Sequence, residues 1–255
     1  MWPALIIPPG LESKKCCGLM KLPQPANKWV TDTARTCLGA PVNFTANDLT
    51  CVRGGRLVFQ ALGFQVAAGS VLVLRGPNGC GKSSLLRLVA GFQAPAAGEF
   101  LWDDNSISDD PDGHRARITY AGHLDAVKTA FSVTEGLMFW ARIGGMGDPK
   151  AVAEALDLWG LGPVANLPSA YLSAGQRKRL NLARLSLSTA QMWLLDEPTV
   201  SLDDGAIGTL MTVIGEHQAG GGSAIIATHT DLALNATNTL NLEPFTAFQT
   251  DVPAS

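Results

Sequence analysis

Apolar positions in this chain gather in short continuous runs bounded by turn residues, the pattern of strands buried on both faces. Val71-Leu72-Val73-Leu74, Met192-Trp193-Leu194-Leu195 and Ala224-Ile225-Ile226 are such runs, and they predict parallel strands of an α/β protein. An apolar helical segment (Leu85, Leu86, Leu88, Val89) follows the first run. A second helix, rich in Arg177, Lys178, Arg179 and Arg184, opens after Leu172. Residues 1–42 show neither a helical nor a strand period and are dotted with Pro3, Pro8, Pro9, Pro23 and Pro25, so they are expected to form a flexible extension.

Composition narrows the class. Of 255 residues, 46% are apolar and 16% charged, so the chain can bury a core and is not disordered. A net charge of −3 argues against a protein whose main work is gripping nucleic acid. The five cysteines (Cys16, Cys17, Cys37, Cys51, Cys80) show no metal-ligand spacing and suit a reducing compartment. No apolar stretch reaches the roughly 20 residues that span a bilayer. Action at a membrane is therefore expected to run through a partner. Residues 1–42 hold five basic and two acidic side chains, a poor match to an Arg-rich transit peptide, and Ala4–Ile7 is too short for a signal-peptide core. The extension reads as an inert tail or as a start site set too early, with the product beginning near Val42; a targeting tail is the alternative.

The chemistry begins directly after Val71–Leu74. Gly76-Pro77-Asn78-Gly79-Cys80-Gly81-Lys82-Ser83 fits the phosphate-loop pattern G-x-x-x-x-G-K-[ST] and leads, through Ser84, into the apolar helix. Glycines let backbone N–H groups turn inward around phosphates, and the helix points its positive end at them. Lys82 is expected to reach the β- and γ-phosphates of ATP, and Ser83 to ligate Mg²⁺. The run Met192–Leu195 ends in Asp196 and Glu197. A carboxylate at a buried strand tip beside the loop can hold Mg²⁺ through water, and Glu197 is then placed to orient or deprotonate the attacking water. A strand end capped by surface acids is the plain alternative. Ser173 and Gln176 have the spacing of a capping box, and Ser173-Ala174-Gly175-Gln176 also joins a hydroxyl, a glycine backbone and a helix start into a second anion site.

With Leu172-Ser173-Ala174-Gly175-Gln176 the chain resembles the ATP-binding-cassette (ABC) ATPases, whose signature is usually written LSGGQ; Ala174 replaces the first glycine. The resemblance covers roughly residues 43–250. It implies an α/β P-loop NTPase (RecA-like) core, an inserted helical signature subdomain over approximately 104–180 and a small antiparallel β subdomain, all within an ATPase domain at 43–255. It implies Asp203 in a loop at a dimer interface, and His229, after Ala224–Ile226, as a switch histidine near the γ-phosphate. Two cassettes stack head to tail in this family, so a second copy of the chain is an implied partner, as are integral membrane subunits. Nucleic acid is not.

Two positions depart from the family pattern. Arg53 stands where an aromatic ring usually stacks on adenine; a guanidinium can lie on a purine, or Arg53 is a solvated loop charge. His123, in Ile118-Thr119-Tyr120-Ala121-Gly122-His123, stands where a glutamine usually senses Mg²⁺ and relays to the membrane partner. An imidazole there predicts ATP hydrolysis that falls more steeply below about pH 6.5 than in glutamine-bearing relatives. Cys80, at a helix N-terminus, reads as a small residue tolerated in the loop rather than as a redox switch, and alkylating reagents are still expected to inactivate the chain, with ATP protecting it.

The stretch Tyr120–Glu135 is similar to the haem-exporter ATPases of cytochrome c maturation, as are Leu172–Arg177 and Trp193–Pro198. That similarity implies a peripheral subunit on the cytoplasmic face of the inner (cell) membrane, or on the matrix side of the mitochondrial inner membrane if eukaryotic. Its ATP hydrolysis would power movement or release of haem-loaded chaperone. None of His114, His123, His217 and His229 lies in a Cys-x-x-Cys-His context, so no direct haem binding is expected. Docking is expected around Leu124 to Phe131, with Val127→Asp uncoupling the partner. The alternatives are the ATPase of another small exporter or of iron–sulfur assembly, and a non-hydrolysing ATP-gated clamp, against which Glu197 argues.

Overall fold

The computed structural model describes residues 43–246 apart from 233, 235 and 236. The extension at 1–42, with Cys16 and Cys17, lies outside the described residues.

The chain opens with a hairpin, β1 (Phe44–Arg53) and β2 (Arg56–Val66), joined by Gly54 and Gly55. Both glycines have positive φ, 56° and 76°, which the tight turn demands. With β4 (Ala97–Trp102) and β5 (Asn105–Ser106) the hairpin forms a four-stranded antiparallel sheet, in the order β2-β1-β4-β5. β3 (Val71–Arg75), β6 (Ile118–Ala121), β7 (Met192–Asp196), β8 (Ser223–Ala227) and β9 (Thr237–Asn241) form a parallel sheet in the order β6-β7-β8-β3-β9. The antiparallel and parallel sheets, the α/β class and the phosphate-loop core agree with the expected fold.

The continuous apolar runs explain why the parallel sheet is central. Val71, Val73, Trp193, Leu195, Ala224 and Ile226 point to one side, into a core shared with the helices between β6 and β7. Leu72, Leu74, Met192, Leu194, Ile225 and Ala227 point to the other, into a core closed by α1 (Lys82–Val89) and the antiparallel sheet. α1 is thus buried between two sheets, and Leu85, Leu86, Leu88 and Val89 are all withdrawn from water. Burying each such side chain contributes about 1.5–3 kcal/mol, which anchors the loop that precedes the helix.

The short helix α2 (Pro111–Ala116) precedes β6, and α3 (Val133–Ile143), α4 (Pro149–Leu158) and α5 (Ala174–Ala183) fill the stretch between β6 and β7. α6 (Asp204–Ala219) links β7 to β8. Two strands therefore lie inside the 104–180 range expected to be helical: β5 pairs with β4, and β6 pairs with β7 in the parallel sheet. Ile118-Thr119-Tyr120-Ala121 lacks a continuous apolar run because it is an edge strand, only partly buried along most of its length.

Two histidines belong to this scaffold. His114 accepts a hydrogen bond on Nδ1 from Trp102 Nε1 at 3.0 Å and donates from Nε2 to Val89 O at 2.8 Å. His217 stacks on Trp193 with ring centroids 3.8 Å apart and donates from Nε2 to Ser223 O at 3.1 Å. Burial lowers both pKa values, that of His217 to about 4.

Candidate active site

The site begins where β3 hands over to α1. Gly81, the N-cap of α1, has φ +103° and no side chain to cap the helix, so the first amides of α1 carry no side-chain acceptor. A Cβ on Gly81 would lie 2.7 Å from Val58 Cγ1 and 3.1 Å from Phe59 Cδ1, so β2 presses on the loop and only glycine fits. A Cβ on Gly76 (φ +138°) would lie 2.8 Å from Cys80 Sγ. The Cys80 side chain is therefore packed inward, with the residue 6% exposed, and its N–H donates to Pro77 O at 3.3 Å. The thiol is thus a packing group of the loop, with little surface open to an alkylating reagent.

The charged groups converge on one point. Lys82 is buried, and its Nζ donates to Gly76 O at 2.8 Å and Pro77 O at 3.2 Å and lies 3.2 Å from His229 Nε2. The same His229 nitrogen lies 3.0 Å from Asn78 Oδ1 and 3.5 Å from Glu197 Oε1. Lysine, histidine and glutamate thus come from three different segments. Ser83 Oγ donates to Asp196 Oδ1 at 3.0 Å. Both oxygens are hard donors, the kind that Mg²⁺ prefers alongside water and phosphate. Among the described residues no cluster of three or more His, Cys, Asp and Glu could hold a metal alone.

Glu197 sits at φ +46°, in the left-handed region, where a non-glycine residue costs about 1–2 kcal/mol. Its N–H, donating to Ala227 O at 2.8 Å, holds it there, next to Pro198. The loop bearing His229 is tied down by Arg75 at the end of β3. Arg75 Nη1 donates to Thr228 O at 3.0 Å, and Nη2 pairs with Asp231 at 2.7 Å. The sequence reading missed Arg75; its only trace was a basic residue closing an apolar strand. His123 is exposed in the turn after β6, on the wall of a cleft of about 1120 Å³ that it shares with Ser83 and Asp196.

Other expected site residues stand apart. Arg53 is exposed at the hairpin tip, directly opposite Arg56, so two guanidinium groups share that turn. Ser173 and Gln176 form a full capping box on α5: Gln176 N–H donates to Ser173 Oγ at 3.2 Å and Ser173 N–H to Gln176 Oε1 at 2.9 Å. Ala174 is the first residue of α5. A Cβ on Gly175 would lie 3.1 Å from Ser201 O, so the signature backbone packs on the turn before α6. Asp203 caps α6, accepting from Ala206 N–H at 2.8 Å. Among the described residues no hydrogen bond joins Ser173, Ala174, Gly175, Gln176 or Asp203 to the phosphate loop. Val127 is half-buried and packs on the core, which makes Val127→Asp a folding change rather than a surface one, whereas Leu124 is 84% exposed.

Comparison with known proteins agrees with this geometry. Residues 59–200 match the ABC transporter family. The "Cytochrome c biogenesis ATP-binding export protein CcmA" of Paramagnetospirillum magneticum is 48% identical over 208 residues, 79% of this chain and 94% of that protein. Its namesake in Rhodospirillum rubrum is 46% identical, over 81% of this chain and 88% of its own length. An ABC transporter ATP-binding protein from Pyrococcus furiosus shares the fold with a TM-score of 0.71 at 23% identity, covering 80% of this chain and all of that one. The chain belongs to the ATP-binding cassettes of ABC transporters, and within them to the family of CcmA, the cytochrome c biogenesis ATP-binding export protein.

Proposed function

We propose that this ATPase drives the haem exporter of c-type cytochrome biogenesis, its hydrolysis powering movement or release of haem-loaded chaperone through integral membrane subunits on the cytoplasmic face. The observation that carries the hydrolytic part is the convergence of Lys82, Glu197 and Asn78 on one nitrogen of His229, beside the Ser83–Asp196 pair.

Each residue then has a task. The amides of the glycine loop and the start of α1 bind the phosphates, with Lys82 leaving the carbonyls of Gly76 and Pro77 for the β- and γ-phosphate oxygens. Ser83 and Asp196 would hold Mg²⁺, which would supply charge neutralisation at the phosphates. Glu197 accepts a proton from the attacking water as its oxygen bonds to the γ-phosphorus, and the bridging oxygen leaves with ADP. His229 orients the γ-phosphate and that water; His123 contacts the same ligands from across the cleft. Arg53 lies against the purine. Ser173, Gly175 and Gln176 of a second copy close the site, with the turn before Asp203 at the seam.

The membrane partner docks at the cleft that holds His123 and Leu124. No helix among the described residues is long and apolar enough to cross a membrane. The test is affinity purification of Glu197→Gln with ATP from solubilised membranes, read by mass spectrometry and visible absorbance. Haem-handling membrane subunits with a haem band are expected. Subunits of another transporter would discard the haem reading and keep the ATPase; soluble partners alone would discard the exporter.

A further inference from the structure

His123 is exposed and no hydrogen bond of a described residue holds its ring, yet the segment around it is held before the histidine by a buried cation and after it by the tryptophan on which that cation lies. Arg184 follows directly on α5 and is 9% exposed. Its Nη2 donates to Tyr120 O, three residues before His123. The guanidinium lies 4.9 Å from the centre of the Trp140 ring, and Trp140 Nε1 donates to Ala126 O at 3.2 Å, three residues after His123. The charge of Asp125, two residues after His123, favours the cationic form of Arg184 and, with Asp196 and Glu197, that of Lys178. Burial pushes Arg184 down to about 10, against the pull of Asp125, so it stays a cation at neutral pH. Asp125 Oδ1 and Arg184 Nε are both buried without a hydrogen-bond partner among the described residues. No ion pair within 4.0 Å joins the two, so the Tyr120 carbonyl and the Trp140 ring are the contacts through which Arg184 holds the turn.

We infer that Arg184 is a positioning residue for His123: through Tyr120 O and the Trp140 ring, with Asp125 favouring its cationic form, it clamps the turn at 120–126 so that the imidazole stands on the wall of the cleft shared with Ser83 and Asp196. Because Arg184 ends the helix that Ser173 begins, the clamp also ties that turn to the signature helix. The inference rests on the proposed part of His123 in hydrolysis. A group displaced by about 1 Å from its working position can lower turnover by up to about 100-fold, so loss of the clamp should act on kcat rather than on ATP binding.

The experiment is a set of double-mutant cycles in phosphate-release assays: His123→Ala, Arg184→Met, Asp125→Asn, and each of the last two combined with His123→Ala. Asp125→Asn is nearly isosteric and keeps the cycle available if Arg184→Met does not fold. Each single variant is expected to lower kcat by about tenfold or more, with KM for ATP changed less than about twofold. Both doubles should be no slower than His123→Ala alone. Losses that multiply in the His123→Ala background would overturn the inference, since Arg184 would then be supporting the fold at large. An unchanged kcat in Arg184→Met and Asp125→Asn would overturn it too. If His123→Ala alone hydrolyses ATP at the full rate, the reading of His123 itself fails, and the inference with it.

Discussion

Two helix starts in this chain, those of α1 and α5, are built in opposite ways. α1 begins at a left-handed glycine with no side-chain cap, and Lys82, Asp196, Glu197 and His229 stand around it. α5 begins at Ser173 and is satisfied by its own capping box. An uncapped helix start buried among charged groups is costly alone and is relieved by a phosphate. A self-capped one is stable as it is, and can lend its serine hydroxyl to a ligand by giving up a single 3.2 Å hydrogen bond. On the proposed reading, the difference makes the phosphate loop a site within one chain and the signature half of a site completed by a nucleotide held on a second copy.

The largest effects should break the first half. Lys82→Ala is expected to lower ATP hydrolysis by about 10²–10³-fold, because a preorganised cation at the phosphates is lost. Glu197→Gln should lower it by about 10²–10⁴-fold while ATP still binds, which a nucleotide-binding assay beside phosphate release would separate. Ser173→Ala sharpens the contrast: hydrolysis should fall while ATP binding to the isolated chain is unchanged, and stability should drop by about 1 kcal/mol from the lost cap.

Acid should loosen the scaffold under both halves. His217 is neutral in the fold, with its pKa depressed to about 4 from the usual 6.5, so the unfolded chain binds the extra proton between these values. Stability from this group is complete above about pH 6.5 and falls as the pH drops toward 4, by roughly 3 kcal/mol in all. Denaturant titrations at pH 7.5 and pH 5 should show the drop, and a His217→Phe variant should show less of it. The smallest effect is a control. Ser132 heads a second capping box with Glu135, whose carboxylate is held below its usual pKa by hydrogen bonds from Ser132. Ser132→Ala should cost about 1 kcal/mol in denaturation and leave hydrolysis intact, unlike Ser173→Ala.

What was legible in the sequence was local. The phosphate loop, Asp196-Glu197 and His229 each follow an apolar strand, so a strand-then-polar pattern marks them, and the fold class follows from the same runs. The capping spacing of Ser173 and Gln176 was equally plain. The contacts that hold these groups were not. Arg75 meets Thr228 and Asp231 far along the chain, and Arg184 meets Tyr120 and Trp140, pairings that only the fold creates. β6 escaped because an edge strand needs no continuous apolar run. The inward turn of Cys80 escaped because a loop sequence does not reveal which way a side chain packs.

The central claim, that a second copy completes the site, is tested most directly by the mass of Glu197→Gln in solution by light scattering. Without nucleotide the account predicts a monomer of 26.8 kDa. With saturating ATP the mass should double, and adding Ser173→Arg to Glu197→Gln should abolish the doubling while ATP still binds. A mass that stays monomeric with ATP bound, or a doubling indifferent to Ser173→Arg, would contradict it.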